Sequence, residues 1–294
     1  MAVSKVFIMG AGLMGSGIGQ VCAQAGLQVV LCDVVQVALD KALQSIAWSS
    51  GKLIEKGKVA GTLDEVMGRI STATEVDAAA EADLVIEAVY EKLETKQEAF
   101  AKLGPAAGLQ AILATNTSAI PITELAASVE RPERFVGLHF FSPVPMMQAV
   151  EVVKGMATSE EAFAAAAEFA RDIGKEPILV QRDVAGFVIN RINFPSTMEA
   201  MRLVEAGVAS VEDIDKGLRL ASGRRMGIFE TGDMVGLDVT YGALMAMYHE
   251  TGEERWYPPL LLRRKVKAGQ LGKKAGVGWY RYDQNGQRLG PAKL

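Results

Sequence analysis

Residues Val3 to Asp33 read as strand, glycine-rich turn, helix and second strand, and no other stretch constrains the fold as much. Lys5-Val6-Phe7-Ile8-Met9 is a short apolar run suited to a buried strand. Gly10-Ala11-Gly12-Leu13-Met14-Gly15 follows at once and fits G-x-G-x-x-G. Ile18 to Ala25 has helical character, Gly26 fits a C-cap, and Gln28-Val29-Val30-Leu31-Cys32 is a second apolar strand ending at Asp33. Gly10 permits the tight turn, Gly12 lets a pyrophosphate approach bare backbone, and Gly15 lets helix and strand pack closely. The helix start, with Leu13 and Met14, presents unpaired N–H groups to phosphate. Asp33 stands 18 residues beyond Gly15, near where an acid accepts hydrogen bonds from an adenosine ribose. The bare glycine pattern also fits an ordinary turn in an α/β protein; the flanking strand, helix and acid favour dinucleotide binding. A carboxylate there repels a 2′-phosphate and no Arg follows it directly, so NAD is expected over NADP.

The chain has 294 residues, which suits one large or two ordinary domains. An apolar fraction of 49% supplies a full core, and a net charge of −4 argues against a general nucleic-acid binder. Residues 184–294 carry 16 Lys/Arg against 12 Asp/Glu. That mildly basic half could meet an anionic substrate, although a solvated helix face accounts for the same charges. The two cysteines, Cys22 and Cys32, suit a reduced interior, and nothing resembles a disulfide framework or a metal site. The first strand starts so near Met1 that no signal or transit peptide is expected, and no apolar run reaches membrane-spanning length. A soluble, cytoplasmic protein that binds neither nucleic acid nor membrane is expected.

Downstream, strands alternate with helices. Strands are expected at 70–74, 83–89, 111–115, 135–140, 149–153 and 177–180, and helices at 37–56, 91–102 and 158–173, with a capping-box signature at Thr62-Leu63-Asp64-Glu65. This predicts an α/β fold with a Rossmann-type doubly wound, mostly parallel sheet, whose functional residues lie at the C-terminal ends of strands. From about Val184 helical segments near 187–205, 211–220, 235–248 and 260–268 predict an all-helical C-terminal domain, with Pro195 kinking its first helix. The expected domains are 1–183 and 184–294.

Only two histidines are present, His139 and His249. Taking a proton from an alcohol near neutral pH most naturally uses histidine. His249 lies at a helix end, where a cation helps the helix dipole, so a structural role accounts for it. His139 lies at the C-terminal end of a strand in the cofactor domain. Lone strand histidines are usually structural, but the chain after His139 passes two prolines and returns as Gln148-Ala149-Val150-Glu151. If strand and return pair antiparallel about Pro145, residues 139 and 151 face each other, with Cβ atoms about 4.5–5.5 Å apart. Glu151 would then fix the imidazole tautomer and stabilise its charged form; otherwise it is a solvent-facing strand residue.

These residues carry a resemblance. Gly10–Gly15, Glu87-Ala88-Val89-Tyr90-Glu91, Asn116-Thr117-Ser118, His139-Phe140-Phe141 with Glu151, Gly186-Phe187-Val188-Ile189-Asn190-Arg191, Gly236-Leu237-Asp238 and Gly272-Lys273-Lys274-Ala275-Gly276-Val277-Gly278-Trp279-Tyr280 recur together. The chain resembles, nearly end to end, the L-3-hydroxyacyl-CoA dehydrogenases, particularly the stand-alone bacterial 3-hydroxybutyryl-CoA dehydrogenases. The resemblance implies that His139 exchanges the C3 hydroxyl proton while hydride passes to NAD, and that Glu151 orients and charges it. It implies that Ser118 and Asn190 bond the reacting oxygen or thioester region, Asn190 reaching in from the helical domain. Glu91, Lys96, Ser118 and Ser142 fall at cofactor-contacting positions, Ser142 where the family usually has Asn. Ile228 replaces a usual proline. Lys52 and Lys56, with Ser118, fall at coenzyme A contacts; one helical turn apart, the lysines share a face, and without the resemblance they read as solvated. A homodimer through the helical domain is also implied. Two other readings compete: a related hydroxy-acid dehydrogenase that does not use coenzyme A, of the gulonate type, and a non-catalytic, crystallin-like cofactor binder.

Overall fold

Eight short segments build one sheet in the computed structural model, which describes residues 3–293. They are β1 (Lys5–Met9), β2 (Gln28–Cys32), β3 (Ile70–Ala73), β4 (Leu84–Glu87), β5 (Ile112–Thr115), β6 (Phe135–Phe140), β7 (Ala149–Lys154) and β8 (Glu176–Val180). The spatial order is β3-β2-β1-β4-β5-β6-β7-β8. Neighbours run parallel except β6 and β7, which are antiparallel. β4, β5 and β6 are buried at every position, whereas the edge strands β3 and β8 are partly exposed. Interior strands covered on both faces need continuous apolar runs, and the sequence supplies them. Pro177 sits on edge strand β8, where a missing N–H is tolerated.

The sheet is flanked by α1 (Leu13–Gln24), α2 (Gln36–Glu55), α3 (Leu63–Met67), α4 (Leu93–Ala106), α5 (Ile122–Ala126) and α6 (Glu160–Asp172). The Thr62 hydroxyl accepts from the Glu65 amide at 3.2 Å, and the Glu65 carboxylate accepts from the Thr62 amide at 2.8 Å, which closes the capping box of α3. Strand order reverses between β1 and β4, and in sheets of this kind ligands bind outside the carboxyl ends at that point.

Residues 1–187 and 188–294 form separate compact units. The second unit holds α7 (Ile189–Glu205), α8 (Val211–Ser222), α9 (Ile228–Val235), α10 (Leu237–Thr251) and α11 (Leu260–Lys267). Pro195 lies inside α7. The helical unit also carries an antiparallel hairpin, β9 (Tyr280–Tyr282) with β10 (Arg288–Pro291), that helical periodicity does not announce. Two buried aspartates fix these parts. Asp215 accepts from the Phe229 and Glu230 amides at 2.9 and 3.0 Å, capping α9 from α8. Asp233 accepts from the Trp279 and Tyr280 amides at 2.8 Å each, anchoring the hairpin. Burial pushes both carboxyls above their ordinary range despite these bonds. Among the described residues no helix is long and apolar enough to cross a membrane.

Candidate active site

β1 ends at Met9 and the chain turns at once. Gly10 takes a φ of +108°, a region favouring glycine, and a Cβ there would stand 2.5 Å from the Ala88 carbonyl oxygen. A Cβ on Gly15 would stand 1.8 Å from the Gly10 carbonyl oxygen, so helix and turn meet only because none is present. A Cβ on Gly12 would meet nothing within 4 Å. Open space beside Gly12, at the start of a helix with no side-chain cap, fits a pyrophosphate. Leu13 stands 74% exposed at that helix start, and Met14 packs on the core. Asp33 closes the cradle: its carboxylate accepts from the Ala11 amide at 2.9 Å and the Val35 amide at 3.0 Å. Each oxygen keeps a further lone pair for a ribose hydroxyl. The residues present fit a dinucleotide.

β4 ends in Glu87, a carboxylate out of contact with solvent. Its Oε1 accepts from the Val89 amide and from Lys96 Nζ, both at 2.7 Å, and its Oε2 accepts from the Thr115 hydroxyl at 2.7 Å. Lys96 reaches on to Glu91 Oε2 at 3.2 Å. Glu91 Oε1 accepts from the Thr117 hydroxyl and the Ser118 amide, both at 2.6 Å. The loop after β4 is therefore tied to the loop after β5 that carries Ser118. Desolvation pushes the Glu91 carboxyl up, but the Lys96 charge and the Thr117 and Ser118 bonds outweigh it and hold it below its ordinary range. Desolvation pushes the Lys96 ammonium down, and the two glutamates outweigh that and raise it.

His139 and Glu151 are register partners in the β6–β7 pair, equidistant from Pro145. His139 Nδ1 lies 2.6 Å from Glu151 Oε2, and the two side chains are 5% and 0% exposed. A carboxylate at Nδ1 selects the tautomer whose Nε2 accepts a proton from elsewhere. The Phe141 and Phe187 rings flank the imidazole at 4.6 and 5.6 Å between centroids. Phe187 takes a φ of +47°, an uncommon conformation for a bulky residue. The Phe140 amide donates to Asn116 Oδ1 at 3.0 Å, which ties the end of β6 to the loop after β5. The carboxyl ends of β4, β5 and β6 are thus joined by side-chain bonds.

The first unit carries all of these: the glycine turn and Asp33 after β1 and β2, Glu91 and Ser118 on the loops after β4 and β5, Lys96 in the first turns of α4, and the paired His139 and Glu151 on β6 and β7. Ser142 lies just past His139, half-buried. Asn190 is the second residue of α7, in the other unit. Lys52 and the cap residue Lys56 are exposed at the end of α2, Lys52 paired with Glu55 at 2.9 Å. His249 sits in the last turn of α10. Sequence reasoning missed Glu87 and Asn116 as site residues. The signal for Glu87 is a lone charge closing an apolar strand, nine residues before a lysine. Burial raises the Cys22 thiol to about 12 and the Cys32 thiol to about 11, so neither offers a thiolate near neutral pH.

The chain is similar to known proteins over nearly its whole length. Residues 5–184 match the NAD binding domain of 3-hydroxyacyl-CoA dehydrogenase, and residues 186–282 match its C-terminal domain. The chain is 42% identical to a probable 3-hydroxybutyryl-CoA dehydrogenase of Deinococcus radiodurans, covering 95% of this chain and 100% of that one. The crystal structure of FadB2 from M. tuberculosis superposes with a TM-score of 0.92 at 40% identity, over 96% of this chain and 100% of that one. That of (S)-3-hydroxybutyryl-CoA dehydrogenase from Ralstonia eutropha gives 0.90 at 38%, with the same coverage.

Proposed function

Because the chain belongs to the 3-hydroxyacyl-CoA dehydrogenase family, we propose that it interconverts short-chain (S)-3-hydroxyacyl-CoA, such as 3-hydroxybutyryl-CoA, and 3-ketoacyl-CoA. The carrying observation is the buried His139–Glu151 pair on the carboxyl side of a dinucleotide-type sheet. NAD, when bound, supplies the hydride acceptor. His139 Nε2 takes the C3 hydroxyl proton in oxidation and returns it in reduction. Glu151 holds the imidazolium formed in between, in a setting where an unpaired charge would be costly. Ser118 and Asn190 hydrogen-bond the reacting oxygen or thioester region. Glu91, Lys96 and Ser142 contact the cofactor, Ser142 on its nicotinamide side, and Asp33 holds the adenosine ribose.

Lys52 and Lys56 meet coenzyme A phosphates. The exposed Lys52–Glu55 pair is worth roughly 0–1 kcal/mol and yields easily to a phosphate. Two further parts belong to the same proposal: the enzyme works as a homodimer through its helical unit, and it acts in the cytoplasm. Sedimentation of the purified chain tests the first.

The discriminating experiment follows NADH oxidation with acetoacetyl-CoA, longer 3-ketoacyl-CoAs and free 3-keto acids side by side. Acetoacetyl-CoA is expected to give the highest kcat/KM, and Lys52→Ala/Lys56→Ala to raise its KM. Equal use of free acids with an unchanged KM favours a dehydrogenase independent of coenzyme A. No turnover of any of them favours a non-catalytic cofactor binder.

A further inference from the structure

Of the three tryptophans, Trp256 and Trp279 are 1% and 0% exposed, whereas Trp48 is 70% exposed. It stands on α2, one turn before Lys52 and two turns before Lys56. At 1.5 Å per residue the lysines follow it by about 6 and 12 Å along the axis, on neighbouring parts of one exposed face. The rotation of α2 is fixed from its other side. Gln20 donates to the Ser49 hydroxyl at 3.0 Å and Gln24 to the Ser50 hydroxyl at 3.1 Å, pinning α2 to α1 and leaving Trp48 outward. A solvated indole in line with two ammonium groups has the chemistry of a nucleotide site: a flat π-face for a base and cations for its phosphates.

We propose that Trp48 stacks on the adenine of the coenzyme A thioester, whose phosphates lie over Lys52 and Lys56. This rests on the coenzyme A reading above and extends it to a residue that sets selectivity for the nucleotide end of the substrate. Stacking tolerates any aromatic face, so Phe serves in place of Trp and Ala does not.

The test compares acetoacetyl-CoA with acetoacetyl-pantetheine, the same thioester without the nucleotide. In Trp48→Ala the ratio of kcat/KM values, coenzyme A over pantetheine thioester, should fall roughly five- to 150-fold, the scale of one lost base–aromatic stack. Trp48→Phe should restore most of it. In the protein without NAD, the phosphoadenosine diphosphate fragment of coenzyme A should quench the solvated tryptophan emission, and Trp48→Phe should abolish the quench. An unchanged ratio in Trp48→Ala, beside a parent that prefers the coenzyme A thioester, overturns the stacking role alone. A parent that does not prefer the coenzyme A thioester overturns the coenzyme A reading and this inference with it.

Discussion

The Glu87 carboxylate and the Lys96 ammonium lie 2.7 Å apart with 0% and 1% of their side chains exposed. Removing two charges from water costs several kcal/mol each, and their attraction repays this only where other bonds complete both groups. Here they do. Glu87 also accepts from the Val89 amide and the Thr115 hydroxyl, and Lys96 also reaches Glu91. The pair therefore serves position as much as stability: through Glu91 it sets where the Ser118 backbone stands.

Glu87→Gln should lower the unfolding free energy by about 3 kcal/mol, the low end of the range for breaking a buried pair, since Lys96 keeps Glu91. Urea unfolding measures it. The paired change Glu87→Leu/Lys96→Leu should not recover that loss, because it leaves the Val89 amide and the Thr115 hydroxyl without their acceptor. A Glu87→Gln variant as stable as the parent would show that the pair contributes no net stability.

The same network fixes a pH response. Glu91 is depressed and Lys96 raised relative to their ordinary values. A depressed carboxyl contributes stability that is complete above its unfolded pKa and is lost as pH falls through the folded one. A raised ammonium contributes stability that is complete below its unfolded pKa and is lost as pH climbs through the folded one. The stability difference between the parent and Lys96→Met should therefore be flat around neutrality. It should shrink below the usual carboxylate range and above the usual lysine range. A difference that widens on acidification would contradict the assignment.

The glycine turn and the His139–Glu151 contact were legible in the sequence because both depend on neighbours close along the chain. Gly10, Gly12, Gly15 and Asp33 lie within one strand–helix–strand unit, and His139 and Glu151 are related by the single return that joins β6 to β7. The Glu87–Lys96–Glu91–Ser118 network was not, because its members take meaning only once β4 and β5 lie side by side. In the helical unit, α9 starts in Met226-Gly227-Ile228-Phe229, which shows no helical pattern, and its N-terminal amides are held by Asp215 from another helix. The C-terminal hairpin likewise depends on Asp233, more than forty residues upstream. Such distant partners leave no local periodicity to read.

His139→Gln should leave NAD binding nearly intact and lower kcat by roughly 10²–10⁴, the usual contribution of a positioned acid–base group. Glu151→Gln should fall in the same range, because the strand register keeps residue 151 opposite the ring while its charge is gone. The two losses should not add, since Glu151 acts through His139. Single-turnover reduction of acetoacetyl-CoA, together with NAD titration, separates chemistry from binding. Near-normal turnover in His139→Gln would remove this residue from the mechanism.

Asp33→Ala should weaken NAD more than NADP. In the parent a ribose hydroxyl can donate to the Asp33 carboxylate, and a hydrogen bond to a charged group contributes roughly 1.5–3 kcal/mol, or about ten- to hundredfold in Kd. On that reading the carboxylate would also repel the extra phosphate of NADP, so its removal should cost the second cofactor less. A structural role would give a different result. Asp33 also accepts from the Ala11 and Val35 amides, and losing those bonds loosens the glycine turn for either cofactor alike. Calorimetric titration of both cofactors into both proteins separates the roles: a larger loss for NAD identifies ribose recognition, and equal losses would leave Asp33 only the task of holding the turn.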